Sequence, residues 1–108
     1  MANTFKLKTK ANVGVSTSDV YVVPSATTTV VIGVTLANTS GSSINVGVGV
    51  TRSSTDDVKL MKNVPIPQGS SLEFMAGNKV VLETTDTLTA ESDVSNSLDV
   101  ALTIMEIT

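Results

Sequence analysis

Residues 28–51 read TTVVIGVTLANTSGSSINVGVGVT, and this stretch sets the fold class. In its first half, Val30-Val31-Ile32-Gly33-Val34 is apolar at successive positions, so an extended chain is apolar on both faces there, the mark of a strand covered on both sides. In its second half, Ile44, Val46, Val48 and Val50 alternate with Asn45, Gly47, Gly49 and Thr51, giving one aliphatic face and one almost bare of side chains. Asn38-Thr39-Ser40-Gly41-Ser42 between them is turn chemistry, so strands over 28–38 and 43–51 are expected to pair as a hairpin. Glycine weakens a strand, and Gly47 and Gly49 therefore need a cause: a bulge or sharp twist, or close approach by another sheet or subunit.

The same alternation continues on either side. Phe5, Leu7, Thr9 and Ala11 share one face of an N-terminal strand and Lys6, Lys8 and Lys10 the other, which suits an edge position; Phe5 and Phe74 are expected in the core. Val20 to Val23 stops at Pro24, and 58–64 ends at Pro65-Ile66-Pro67-Gln68-Gly69, an extended connection that reads as a crossover. Strands follow over 70–75, 79–83, 87–91 and 97–107, separated by Ala76-Gly77-Asn78, Thr84-Thr85-Asp86 and Ser92 to Asn96. Val, Ile and Thr supply 38 of 108 residues and Ser 13, leaving too few helix formers for long helices. Eight or nine short strands in a chain of this length predict one all-β domain over 1–108, an antiparallel β-sandwich or barrel. Its core is expected from Val31, Val34, Leu36, Val46, Val48, Leu82, Leu98, Val100, Leu102 and Ile104.

Charge and composition exclude several classes of function. A net charge of −3 with seven basic residues is too little cationic charge to neutralise phosphates, so no nucleic-acid partner is expected. The longest apolar run is far short of a bilayer span and no apolar leader follows Met1, so no membrane partner is expected and synthesis is expected in a host cytoplasm. Basic and acidic groups are split, +2 over residues 1–50 and −5 over 51–108, which suggests a head-to-tail contact or solvated faces. A mean hydropathy of +0.27 is high for a soluble monomer and points to apolar surface that seeks a partner.

Chemistry is sparse. The chain has no Cys and no His, which removes thiol nucleophiles, imidazole bases and the usual zinc ligands. Carboxylate pairs drawn from Glu73, Glu83 and Glu91 follow no catalytic spacing, and Asp56, Asp57, Asp86, Asp93 and Asp99 match no calcium motif. The expectation is no enzyme activity, no cofactor and no metal. A carbohydrate site lacks its aromatic platform, since only Phe5, Tyr21 and Phe74 are aromatic, and a small-molecule ligand is not expected.

Phe5-Lys6-Leu7-Lys8, Tyr21-Val22-Val23-Pro24, the run from Val31 to Asn38, Pro65 to Leu72, Lys79 to Leu88, and Met105-Glu106-Ile107 together resemble small all-β structural proteins of tailed phages, particularly those of marine cyanobacteria. The resemblance implies a virion component with a jelly-roll-like or immunoglobulin-like sandwich, which decorates or cements the capsid or belongs to the neck or tail. Its partners would be other virion proteins or further copies in a homo-oligomer; the rival is a receptor- or carbohydrate-binding adhesion module on a tail fibre. Lys6, Lys8, Lys10, Gly47 and Gly49 are the candidate interface residues, and bulk at Gly49, as in Gly49→Leu, is expected to disturb assembly more than folding.

Overall fold

The computed structural model describes residues 2–52, 57–74 and 79–108, the side chain of Phe74 aside. Nine strands follow one another: β1 (Asn3–Val13), β2 (Ser18–Val22), β3 (Thr28–Asn38), β4 (Ile44–Thr51), β5 (Asp57–Ile66), β6 (Ser71–Phe74), β7 (Val80–Leu82), β8 (Thr87–Ser92) and β9 (Leu98–Ile107). The expected turn over residues 76–78 and the aspartate at 56 lie outside the described residues.

The strands form two antiparallel sheets packed as a sandwich. One runs β1-β9-β3-β6 with β7 also on β3; the other runs β2-β8-β4-β5. β6 pairs with Val34 to Ala37 and β7 with Thr29 to Val31, so the two are successive pieces of one edge strand laid along β3. Val31, Val34, Leu36, Val46, Val48, Leu82, Leu98, Val100, Leu102 and Ile104, expected in the core, are all buried, and the buried apolar side chains form one cluster between the sheets; the Phe74 side chain, also expected there, lies outside the described residues. Val31 and Val34 both point inward because β3 carries an extra residue, Ile32, between Val31 opposite Ile104 and Gly33 opposite Thr103.

The expected hairpin between residues 28–38 and 43–51 does not form: β3 and β4 lie in different sheets. β3 is already paired on both edges, by β9 and by β6 and β7, and β4 likewise by β8 and β5. The turn crosses the sandwich and is held by Asn38. The Asn38 Nδ2 donates to the Ser42 and Ile66 carbonyls at 2.8 and 2.9 Å, while its Oδ1 accepts from the Ser40 amide at 2.9 Å. The proline-bracketed segment after Val64 does cross over, from β5 in one sheet to β6 in the other.

β1 is an edge strand, as its lysines suggest, but its faces are the reverse of the expected ones. Lys6, Lys8 and Lys10 stand opposite Ile104, Leu102 and Val100, which point into the core, so the lysines occupy the inner side. Phe5 and Leu7 point outward and are 70% and 64% exposed, so Phe5 is not a core residue. The physical cause is length: β1 has eleven residues and β2, the edge strand of the opposite sheet, has five. The inner side of β1 is therefore a rim, where flexible stems lie on apolar surface and their ammonium groups reach water.

Candidate functional site

The outer face of the five-stranded sheet carries an apolar row in strict register. Phe5 stands opposite Met105, Met105 opposite Val30, and Val30 opposite Val81, so four apolar side chains cross β1, β9, β3 and β7 in a line. Val81 is 59% exposed, and Met105 and Val30 are half-buried only by their neighbours in the sheet. Leu7, Thr103 and Gly33 form the next row, where a Cβ on Gly33 would meet no heavy atom within 4 Å. Beyond it the side chains become small, and Thr9, Ala11, Thr35, Ala37, Asp99 and Ala101 surround a shallow hollow of about 220 Å³. One face thus has a bulky end and a hollow end. The apolar pattern on both sides of β3 is matched by the core on one side alone; the other side, Val30 and Ile32, faces outward.

Lys6, Lys8, Lys10, Gly47 and Gly49 do not come together. The lysines lie on the inner rim of β1, and the glycines are buried on the outer side of β4 in the other sheet. The cause of the glycines is internal. β5 holds one extra residue in each of two places against β4, and a Cβ on Gly49 would stand 2.8 Å from the Val58 carbonyl oxygen. A Cβ on Gly47 would meet the Met61 carbonyl oxygen at 3.3 Å, and the Lys59–Glu91 ion pair at 2.5 Å joins the strands on either side of β4. Gly49→Leu is therefore a folding lesion, which corrects the expectation that it acts mainly on assembly.

Tyr21, the single tyrosine, closes a polar cluster where β2 meets the five-stranded sheet. Its hydroxyl donates to Glu106 Oε2 at 2.5 Å and lies 2.8 Å from Thr29 Oγ1, while Lys6 Nζ bridges to Glu106 Oε1 at 2.7 Å. Glu106 continues the inward series of Leu102 and Ile104, which makes it a buried carboxylate. Lys6 and then Tyr21 hold its pKa below the usual carboxylate value, and burial together with the Glu106 carboxylate pushes Tyr21 up to about 12. Such a cluster fastens β2 to β9 and β1; it offers no open position to a substrate.

Glu83, Asp86, Asp93 and Asp99 are engaged in the fold. Buried Asp86 accepts from the Arg52 Nε at 3.2 Å and from the Glu83 amide at 2.9 Å, and Arg52 also pairs with Glu83. The Arg52 pKa is raised by these two carboxylates, Asp86 first. Asp93 accepts from the Asn45 amide and Asp99 from the Asn12 amide, at 2.9 and 3.0 Å. Among the described residues no three of His, Cys, Asp and Glu gather as a metal site would require. Among the same residues no helix is long and apolar enough to cross a membrane.

No family model matches the chain, and no curated protein matches it. Solved structures do. A chain of the Bacillus endospore appendages, described as a novel family of disulfide-linked pili, superposes with a TM-score of 0.60 at 11% identity, covering 99% of this chain and 87% of that one. A chain of the acidic-stable capsid of the Helicobacter pylori bacteriophage KHP30 superposes with a TM-score of 0.58 at 13% identity, covering 100% and 94%. At these identities the likeness is one of fold, and it extends over the whole sandwich.

Proposed function

We propose that this chain is a non-enzymatic structural protein of a virion, a building block that packs against copies of itself or against other particle proteins. The observation that carries the reading is the uncovered apolar row Phe5, Met105, Val30 and Val81, in register across four strands, on a sandwich whose described buried polar side-chain atoms all have hydrogen-bond partners. Apolar surface set in register across four strands is contact surface. The strand order supports the reading too. With β6 and β7 counted as one, the sheets run first-eighth-third-sixth and second-seventh-fourth-fifth, the order of a jelly roll, an architecture used by viral capsid domains. An immunoglobulin-like domain keeps its first two strands in one sheet, whereas β1 and β2 lie in different sheets. The fold likeness to a capsid chain and to a pilus chain agrees with a role in assembly. Because the chain has no cysteine, its contacts are made without disulfides, unlike those of the disulfide-linked pili.

On the particle we assign it to capsid decoration or cement, or to the neck or tail, without cofactor, nucleic-acid or membrane partner. The adhesion alternative has less support, since of the described aromatic side chains Tyr21 is buried and Phe5 alone is exposed, which is no platform for a sugar ring. Co-sedimentation with purified particles lacking the protein, followed by locating the chain in a density map, is the test. Saturable binding at symmetry-related positions is expected. Failure to bind, together with recognition of immobilised glycans, removes the structural reading in favour of adhesion.

A further inference from the structure

Resting on the assembly reading, we infer that the outer face of the five-stranded sheet binds a second copy of this chain, face to face, about a two-fold axis that lies between the sheets and runs across the strands at the level of Thr103.

The edges of the sandwich argue for a face. Strand addition needs a long, regular, unguarded edge. β2 has five residues and a bulge between Asp19 and Tyr21; β5 is bulged twice and carries Pro65. β6 and β7 give four- and three-residue pieces. β1 alone combines length with an unbroken register, from Asn3 to Lys10, and its inward-pointing Lys6, Lys8 and Lys10 are a known guard against pairing. The outer face of the sheet has no such guard at its bulky end, where Phe5, Leu7, Met105, Val30 and Val81 carry no charge.

The occupant follows from the shape of that face. Successive outward rows on β9 are Ile107, Met105, Thr103, Ala101 and Asp99. A two-fold rotation about an axis across the strands at Thr103 keeps each strand over its own copy and reverses the rows. Met105 then lies over Ala101 of the second copy, and Phe5 over its Thr9. The bulky end of each copy enters the hollow of about 220 Å³ on the other. An axis parallel to the strands would stack bulky end on bulky end and leave both hollows empty. Asp99, at the hollow end, already has its carboxylate on the Asn12 amide, and Glu73, opposite Thr35 on the edge strand β6, is exposed at the margin of the face, where it meets the rim residue Val81 of the second copy and its carboxylate reaches water. The face is four strands wide at about 4.8 Å each and nine residues long at about 3.4 Å, so two copies cover roughly 1,200 Å² in total, the lower end for a specific interface. The sequence pattern agrees, because the two-sided apolar run of β3 is then covered on both sides.

Sedimentation equilibrium from about 1 µM to about 1 mM is the test, and the mass should rise from 11.2 kDa to twice that value. Phe5→Asp, at a site already 70% exposed, should weaken the dimer about 30-fold or more while leaving the far-UV spectrum unchanged. Val81→Asp, 59% exposed at the far end of the same row, stands in if that variant fails to fold. Leu7 lies on the axis, so Leu7→Cys, the sole cysteine in that protein, should self-link through a short bis-maleimide, and Thr9→Cys should not. A wild-type chain monomeric throughout overturns the inference, as does a dimer that ignores both aspartate variants. Particle binding is read separately: a monomer that binds particles overturns this inference and leaves the assembly role, and a dimer that binds none does the reverse.

Discussion

Tyr21→Phe keeps the aromatic ring in place and deletes one oxygen, which isolates the contribution of the Tyr21, Glu106, Lys6 and Thr29 cluster. The lost contacts are a hydrogen bond of 2.5 Å to a buried carboxylate and one of 2.8 Å to a threonine hydroxyl. A bond to a charged acceptor contributes about 1.5–3 kcal/mol and a neutral one about 0.5–1.5 kcal/mol, and Glu106 keeps Lys6, so the expected loss is about 2–4 kcal/mol. For a domain of this size that is a fall in Tm of roughly 10–20 °C. Urea unfolding at pH 7, followed by far-UV circular dichroism and at low protein concentration, measures it. The pH dependence supplies a second reading. Glu106 has a lowered pKa in the fold, so its stabilisation is present above its ordinary value of 4.5 and is lost as pH falls through the folded value. Part of that lowering comes from Tyr21, so the gap between wild type and Tyr21→Phe should be constant from about pH 6 to 8 and narrow below about pH 4. A loss under about 0.5 kcal/mol at neutral pH, or a gap that stays the same in acid, refutes the account of this cluster.

Absorbance at the phenolate band reports Tyr21 alone, and its midpoint should move from about 12 in the folded chain to about 10 in denaturant. Because the folded value is the higher one, stability should hold up to about pH 10 and decline between about 10 and 12. Gly49→Ala should cost about 1–3 kcal/mol in urea unfolding, because its Cβ would stand 2.8 Å from the Val58 carbonyl oxygen, while Gly33→Ala should change monomer stability by less than about 0.5 kcal/mol. Asn38→Ala, which removes the Nδ2 donations to the Ser42 and Ile66 carbonyls and leaves them the Ser40 and Ser43 hydroxyls, should cost about 1–2 kcal/mol by the same measurement.

The strands and their inward residues were legible in the sequence because period-two alternation reports directly on which side chains share a face. Leu98, Val100, Leu102 and Ile104 are the plainest case, and all four are buried. Pairing was less legible. Asn38 to Ser42 has hairpin chemistry, yet whether a turn reverses within a sheet or crosses to the other is decided by the partners that β3 and β4 find elsewhere. The side of β1 is not legible for a related reason: alternation separates Phe5 from Lys6 without saying which faces the core, and lysine stems tolerate a rim. Gly47 and Gly49 owe their identity to two bulges on β5, which leave no mark in the residues of β4. The apolar outer row is not legible as a row, since it is assembled from positions 5, 30, 81 and 105. Its one local trace is the run Val30-Val31-Ile32.

The position of β9 between β1 and β3 dictates the order in which the molecule is completed during synthesis. Among the described residues β1 pairs with β9 and with no other strand, Asn3 opposite Ile107, so the five-stranded sheet stays open until β9 has left the ribosome. Closing so large a loop late makes folding slow, and it leaves an eleven-residue strand waiting while the rest of the chain is made. Lys6, Lys8 and Lys10 on that strand act as gatekeepers over the interval, keeping neighbouring nascent chains from pairing with it before its own partner arrives.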